Sequence, residues 1–113
     1  MIETTVIKYL NANLSGGVEA FAEIPENPSS KFVIVQKTGS GRVNHIDSSA
    51  FSLQSYGASK YEAATLNEEV KTIMDGIIEL GEVSRSALNS DYDFTDPSTK
   101  RYRYQAIYNI THY

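Results

Sequence analysis

Three aspartates, Asp91, Asp93 and Asp96, crowd the segment NSDYDFTDPSTK that runs from Asn89 to Lys100. Carboxylates at the first and third places of a loop resemble the start of a calcium site. Such a loop needs glycine at its sixth place for a sharp turn and glutamate at its twelfth, and those places hold Asp96 and Tyr102. A specific calcium site is therefore not expected; the acids keep a surface solvated or meet a basic partner. A second group, Arg42, Asn44, His45 and Asp47, lies in the glycine-bounded stretch GSGRVNHID. His45 with Asp47 could form a base and its orienting carboxylate, but no Ser or Cys has a recognisable nucleophile setting, and chemistry needs all three groups to converge. Recognition is the preferred reading of this stretch, and an enzyme or small-ligand domain using His45 and Asp47 is the alternative. The other histidine, His112, is remote in sequence, and two distant histidines do not define a metal site. GSGR lacks the Lys and Ser or Thr of a phosphate-binding loop. No catalytic residue, metal or cofactor is expected.

Composition narrows the class further. The chain has 113 residues, enough for a single domain, 1–113, with a modest core. It has no cysteine, so disulfides, thiolate metal sites and a cysteine nucleophile are excluded. The first residues, MIETTVIKYLNANL, carry neither a basic leader with an apolar block nor the roughly 20 apolar residues of a membrane span. A soluble intracellular product with no membrane contact is expected. The tripeptides starting at Asn13 and Asn109 match the glycosylation pattern and are read as chance. The formal charge of −4 argues against nucleic-acid binding, which depends on neutralising phosphates. Lys100, Arg101 and Arg103 form only a small basic cluster, read as solvated strand positions facing the nearby acids.

The aromatic residues divide into two kinds. Tyr102, Tyr104 and Tyr108 alternate with polar residues and are expected in the core. Tyr92 and Phe94 interleave with acids, which suits a surface that becomes covered by a partner, where aromatic anchors carry most of the energy.

The elements that hold these residues follow from periodicity. The apolar spacing of Ile2, Val6, Tyr9, Leu10 and Leu14 predicts a first helix, ended by Gly16 and Gly17. Val18–Ile24 alternates as a short strand, and Pro25 and Pro28 then impose an exposed connection. Lys31–Thr38 has the β-branched and aromatic run of a strand buried on both faces. Gly39–Asp47 is expected as an open loop, and Ser48–Tyr56 as the next strand. Ser59 followed by Glu62 predicts a capping box. From there Ala63, Leu66, Val70, Ile73, Ile77 and Leu80 form one apolar stripe, and with Gly76 costly in a helix interior the helix either ends near Met74 or runs on to Leu80. Glu82–Leu88 reads as a weaker strand, Asn89–Lys100 as a long loop, and Arg101–His112 as a final strand returning antiparallel. The fold class is α+β, a mixed or antiparallel sheet of four to five strands with two helices packed on it.

Two segments together carry a family resemblance. FVIVQKTGSGRVNHIDSSAFSLQSYGASKYEAATLNEEV, followed after a spacer by LNSDYDFTDPSTKRYRYQAIYNITHY, resembles the small tail-terminator proteins of long, noncontractile-tailed phages and prophages, also called tail-completion or head-tail joining proteins. The likeness spans about Phe32 to Tyr113, and the first 30 residues add little beyond a helix at the matching place. The resemblance implies a small α/β domain acting as a homo-oligomeric ring, typically a hexamer. That ring caps the tail tube at its final length and presents a surface to the head. The implied partners are copies of itself, the major tail-tube protein and a head-completion or connector protein. The implied location is the tail-head interface of a virion assembled in a bacterial cytoplasm; another neck protein, such as a head-completion protein, is the near alternative. No catalytic motif comes with the family.

A closed ring needs one patch to meet a different patch on the next copy. The expected contacts are Arg42, Asn44, His45 and Asp47 in one loop and Asp91, Tyr92, Asp93, Phe94 and Asp96 in the other. Arg42 and the three aspartates are expected as opposite charges across subunits.

Overall fold

The structure is a computed structural model and describes residues 1–43, 46–99 and 101–113, with the Val43 side chain left out. It is α+β, with five strands and two helices among the described residues. Helix α1 covers Ile2–Asn13 and buries Ile2, Val6 and Leu10, the expected face. Gly16 and Gly17 follow it with φ of 68° and 73°, a region that residues with a Cβ avoid.

Strand β1 is only Ala20–Phe21, shorter than the alternation of Val18–Ile24 predicts. It pairs parallel to β2. On its outer side, Asn11 of α1 takes both backbone groups of Ala20: Asn11 Oδ1 accepts from the Ala20 N–H at 2.7 Å, and Asn11 Nδ2 donates to the Ala20 carbonyl at 3.2 Å. A side chain thereby satisfies backbone groups that a further strand would otherwise pair.

Strand β2 covers Phe32–Val43 and β3 covers Ile46–Gly57. Their antiparallel register runs unbroken in direction from Phe32↔Tyr56 to Val43↔Ile46, with a bulge between Lys37 and Gly39. The expected open loop Gly39–Asp47 is instead the end of a β-hairpin arm; Asn44 and His45 lie outside the described residues. Glycine and serine lower strand propensity without forbidding extended backbone, and the ladder supplies the hydrogen bonds.

Helix α2 covers Lys60–Asp75. Ser59 caps it, its Oγ accepting from the Glu62 N–H at 3.1 Å. Gly76 ends it, and a 3₁₀ turn over Ile77–Glu79 continues the apolar stripe, so Ile77 is buried although it lies beyond the helix. Tyr9 of α1 donates its hydroxyl to the Gly76 carbonyl at 3.0 Å, which satisfies a helix-end acceptor. Before the cap, Gly57 lets β3 run close under α2. A Cβ there would sit 2.5 Å from the Ala63 nitrogen.

Strand β4 covers Val83–Asp93 and β5 covers Tyr102–His112, paired antiparallel as expected. The expected loop from Asn89 is thus half strand, and Asp91, Tyr92 and Asp93 sit on a ladder. An edge strand needs backbone partners more than apolar side chains, so its polar sequence concealed it. The sheet order is β1-β2-β3-β5-β4, antiparallel except for β1. Both helices pack on one face, where Val33, Val35, Phe51, Leu53, Ala106, Tyr108 and Ile110 meet α1 and the Leu66, Val70 and Met74 stripe of α2. Of the three tyrosines expected in the core, only Tyr108 is fully buried; Tyr102 and Tyr104 are half-buried near the start of β5, where the neighbouring strands end.

Candidate functional site

The two groups of candidate residues lie at opposite ends of the sheet. Asp47 pairs with His112 and Asp93 with Tyr104. Those two positions on β5 are eight residues apart, about 27 Å at the rise of an antiparallel strand. They do not converge into one pocket.

At the arm end, Arg42 and Asp47 face each other across the hairpin, with Arg42 Nε donating to Asp47 Oδ1 at 2.6 Å. The hydrogen bond and the opposite charge hold the Asp47 carboxyl below its ordinary value and raise the Arg42 guanidinium. Asp47 is therefore engaged by Arg42 from its own chain, and His45, its partner only in the alternative enzymatic reading, lies outside the described residues. The structure brings a different histidine near: His112 Nε2 lies 3.0 Å from Ser49 Oγ, and both residues are buried. A shallow cleft of about 390 Å³ opens beside them, lined in part by Lys37, Arg42, Asp47 and Ser49. Sequence distance hid this contact, because only the β3–β5 register makes residues 49 and 112 neighbours.

At the other end, the three aspartates have three separate tasks. Asp91 points to the helix side, where its Oδ2 accepts from Asn67 Nδ2 and Lys71 Nζ, each at 3.0 Å. Lys71 also reaches Glu68 at 3.0 Å. Hydrogen bonds that Lys71 donates to Asp91 and then to Glu68 raise its ammonium above its ordinary value. Asp93 meets Lys60 at 3.2 Å and accepts from the N–H and hydroxyl of Thr95. Asp96 accepts from the N–H and hydroxyl of Ser98. Both carboxyls are held below their ordinary values, chiefly by those hydroxyl and N–H donors. The acids thus fasten α2 to the edge strand and close the turn that leads into β5.

Tyr92 and Phe94 occupy the face of the sheet that no helix covers. They meet edge to face at 5.8 Å and are 43% and 39% exposed. The Arg103 guanidinium stacks over the Phe94 ring at 4.4 Å, donates Nε to the Phe94 carbonyl at 2.7 Å, and donates to the Tyr56 hydroxyl at 2.9 Å. Tyr56 in turn stacks on Phe32, their centroids 4.5 Å apart. Next to this row, Gln105 donates to the Tyr92 hydroxyl and accepts from Ser52 at 2.6 Å and Gln54 at 3.1 Å. Arg103 is therefore not a solvated charge facing the acids, as its alternation suggested. It is the middle of an aromatic and amide layer lying flat on the sheet. Alternation groups Gln54 with Tyr56 on β3 and Arg103 with Gln105 on β5, but only the register, Gln54↔Gln105 and Tyr56↔Arg103, puts the two pairs on one face. Arg101 is exposed, and Lys100 lies outside the described residues.

Among the described residues, no cluster of three or more His, Cys, Asp or Glu side chains is placed to hold a metal ion. No helix among them is long and apolar enough to cross a membrane. No protein-family model matches the chain, and no curated protein matches it in sequence.

Proposed function

We propose that the chain is a structural assembly protein of a long-tailed phage or prophage. It forms a homo-oligomeric ring, a hexamer by the family resemblance, that caps the tail tube at its final length and offers a surface for head attachment. The reading draws on the likeness of Phe32 to Tyr113 to tail terminators. The structural observation that supports it is the placement of Arg42 and Asp47 and of the acidic, aromatic end at opposite ends of one sheet. A capping ring needs two different faces, one for the tube and one for the head connector. With the strands near the ring axis, Arg42 and Asp47 stand on one face of the ring and Tyr92, Asp93, Phe94 and Asp96 on the other. Exposed Tyr92 and Phe94 with the half-buried Arg103 stacked on Phe94 are residue types enriched at interfaces.

The charge scheme changes with the structure. Asp91 is engaged by α2, so it belongs to the frame of the subunit rather than to its offered surface. The Arg42–Asp47 and Asp93–Lys60 pairs are surface ion pairs, which contribute little and can be exchanged for a partner protein at little net cost.

Removal of the gene tests the proposal. Tails of uncontrolled length, seen by electron microscopy, are the expected result. Tails of normal length lying unattached to heads would assign the chain to the head-completion step instead. Normal particles would end the assembly reading.

A further inference from the structure

The two outer edges of the sheet are open over the same stretch. Beyond the two residues of β1, which pair at Val33 and Ile34, the outer edge of β2 from Val35 to Val43 has no strand beside it among the described residues. At the other side of the sheet, β4 has no outer neighbour over Val83–Asp93. Following the register across the sheet puts Val35 level with Leu53, Ala106 and Asp91, and Arg42 level with Asp47, His112 and Val83. The free part of β2 therefore lies at the same height as Val83–Asp91 of β4.

The directions agree as well. β2, β3, β5 and β4 alternate in direction, so with four strands the two edges run opposite ways. A copy related by rotation about an axis along the strands keeps its strand directions, which brings its β2 beside this β4 antiparallel and with its free stretch at matching height. From Gln36 to Arg42 the β2 arm is exposed, contains no proline, and is rich in Ser, Gly and Thr. An unpaired edge of that length leaves its outward N–H and C=O groups to solvent or to another strand. Of the devices that keep edges apart, namely proline, charge and bulges, both edges lack proline, the arm carries Lys37, Arg42 and a bulge at Thr38, and β4 carries Arg85 and bulges after Val83 and Leu88, so only a partner whose bulges match can pair. Bulges raise local twist and select against flat, indiscriminate partners. The Thr38 bulge and the bulge after Leu88 lie about one residue apart in height, next to the Phe51–Tyr108 pair.

We infer that neighbouring copies join by strand addition, the Val35–Val43 edge of β2 in one copy pairing antiparallel with the Val83–Asp91 edge of β4 in the next. The inference rests on the ring reading above and names its subunit contact. Each joint is head to tail, as closed rings require. It also replaces the expected pairing of Arg42 with the acidic end: at equal height, Arg42 of one copy lies about 27 Å along the strands from Asp93 of the next and beside Val83. Asp47 and the Tyr92–Phe94 end lie outside the joint, free for tube and head.

Disulfide trapping tests this directly, because the chain has no cysteine of its own. Gly41 and Arg85 lie at one height and are exposed. Opposed residues on antiparallel strands are about 4.5–5.5 Å apart at Cα, within the span of a disulfide. A mixture of Gly41→Cys and Arg85→Cys proteins, mildly oxidised in solution and in assembled tails, is expected to give a linked dimer. Neither variant alone gives one, and the double variant gives a ladder of multiples. Ser40→Cys with Ser86→Cys tests the adjacent height in the same way. A link formed by Arg85→Cys alone would mean a two-fold β4–β4 dimer and overturn the proposal. Rings visible in micrographs without either mixed link would overturn it too, as would an unlinked monomer at every concentration and in tails. Tail length is scored separately, so normal capping without the link refutes the edge pairing alone, and uncontrolled tails with the link intact refute the capping function alone.

Discussion

Replacing Asp91 with alanine tests whether this acid is part of the frame rather than the offered surface. The substitution removes the acceptor for Asn67 Nδ2 and one partner of Lys71. Asn67 is 1% exposed, and its Oδ1 already lacks a partner, so its amide would lose the hydrogen bond that the structure gives it. An unsatisfied buried amide costs about 1–3 kcal/mol. Lys71 and Asp91 are 18% and 28% exposed, between a surface and a buried pair, and their lost attraction adds about 1 kcal/mol. The expected total is about 2–4 kcal/mol, which for a domain of this size lowers the unfolding midpoint by roughly 8–15 °C. Thermal unfolding followed by circular dichroism reads this shift. Asp91→Asn keeps an oxygen for Asn67 but no charge for Lys71, and should cost about 1 kcal/mol. Asp96→Ala is the control, since its partners are a solvated turn. If Asp91→Ala proves no more costly than Asp96→Ala, the docking of α2 through this acid is wrong.

Other outcomes follow from single contacts. Tyr108 donates its buried hydroxyl to Asp75 Oδ1 and the Lys71 carbonyl, so Tyr108→Phe should lose about 1–2 kcal/mol in chemical denaturation. Burial, with Asp75 beside it, raises the Tyr108 phenol far above its ordinary 10.0, and the Lys71 ammonium is also raised. Both groups bind their proton more tightly folded than unfolded, so their stabilisation is complete below about pH 10 and declines as pH rises beyond it. A pH series of unfolding should show that decline, weaker in Tyr108→Phe; a flat profile to pH 12 would contradict it. Ser59→Ala removes the α2 cap and should cost about 1 kcal/mol. Gly57→Ala forces a Cβ against the α2 backbone and should cost about 1–3 kcal/mol, measured by urea unfolding. Tyr92→Ser with Phe94→Ser should leave a folded protein by circular dichroism while tail capping or head joining fails, and normal particles would remove the aromatic end from the proposed function.

How legible this molecule was depended on what each residue reports. Periodicity and caps record local energetics, so α1, the Ser59 start of α2, the core stripe from Ala63 to Val70, and the alternation of β5 were readable from the chain alone. The α+β class followed from them. Elements held mainly by a ladder gave weak signals: the Gly39–Val43 end of the arm and the Asn89–Asp93 end of β4 have few apolar side chains and depend on backbone bonds to a partner strand, Ile46–Ala50 for the arm and Tyr104–Tyr108 for β4. Their residues looked like loops because the partner, not the residue, supplies the stabilisation.

The same division holds for the candidate surface. The sequence marked Tyr92 and Phe94 as aromatics without a core, and marked the aspartates as unusual. Only the register of β3, β5 and β4 decided that Arg103 bridges Phe94 and Tyr56, that His112 meets Ser49, and that Asp91 turns inward to α2 while Tyr92 turns to the open face. Side chains on adjacent residues of a strand point to opposite faces, so one step along β4 separates a frame residue from a surface residue. Composition cannot record that step; strand pairing sets it.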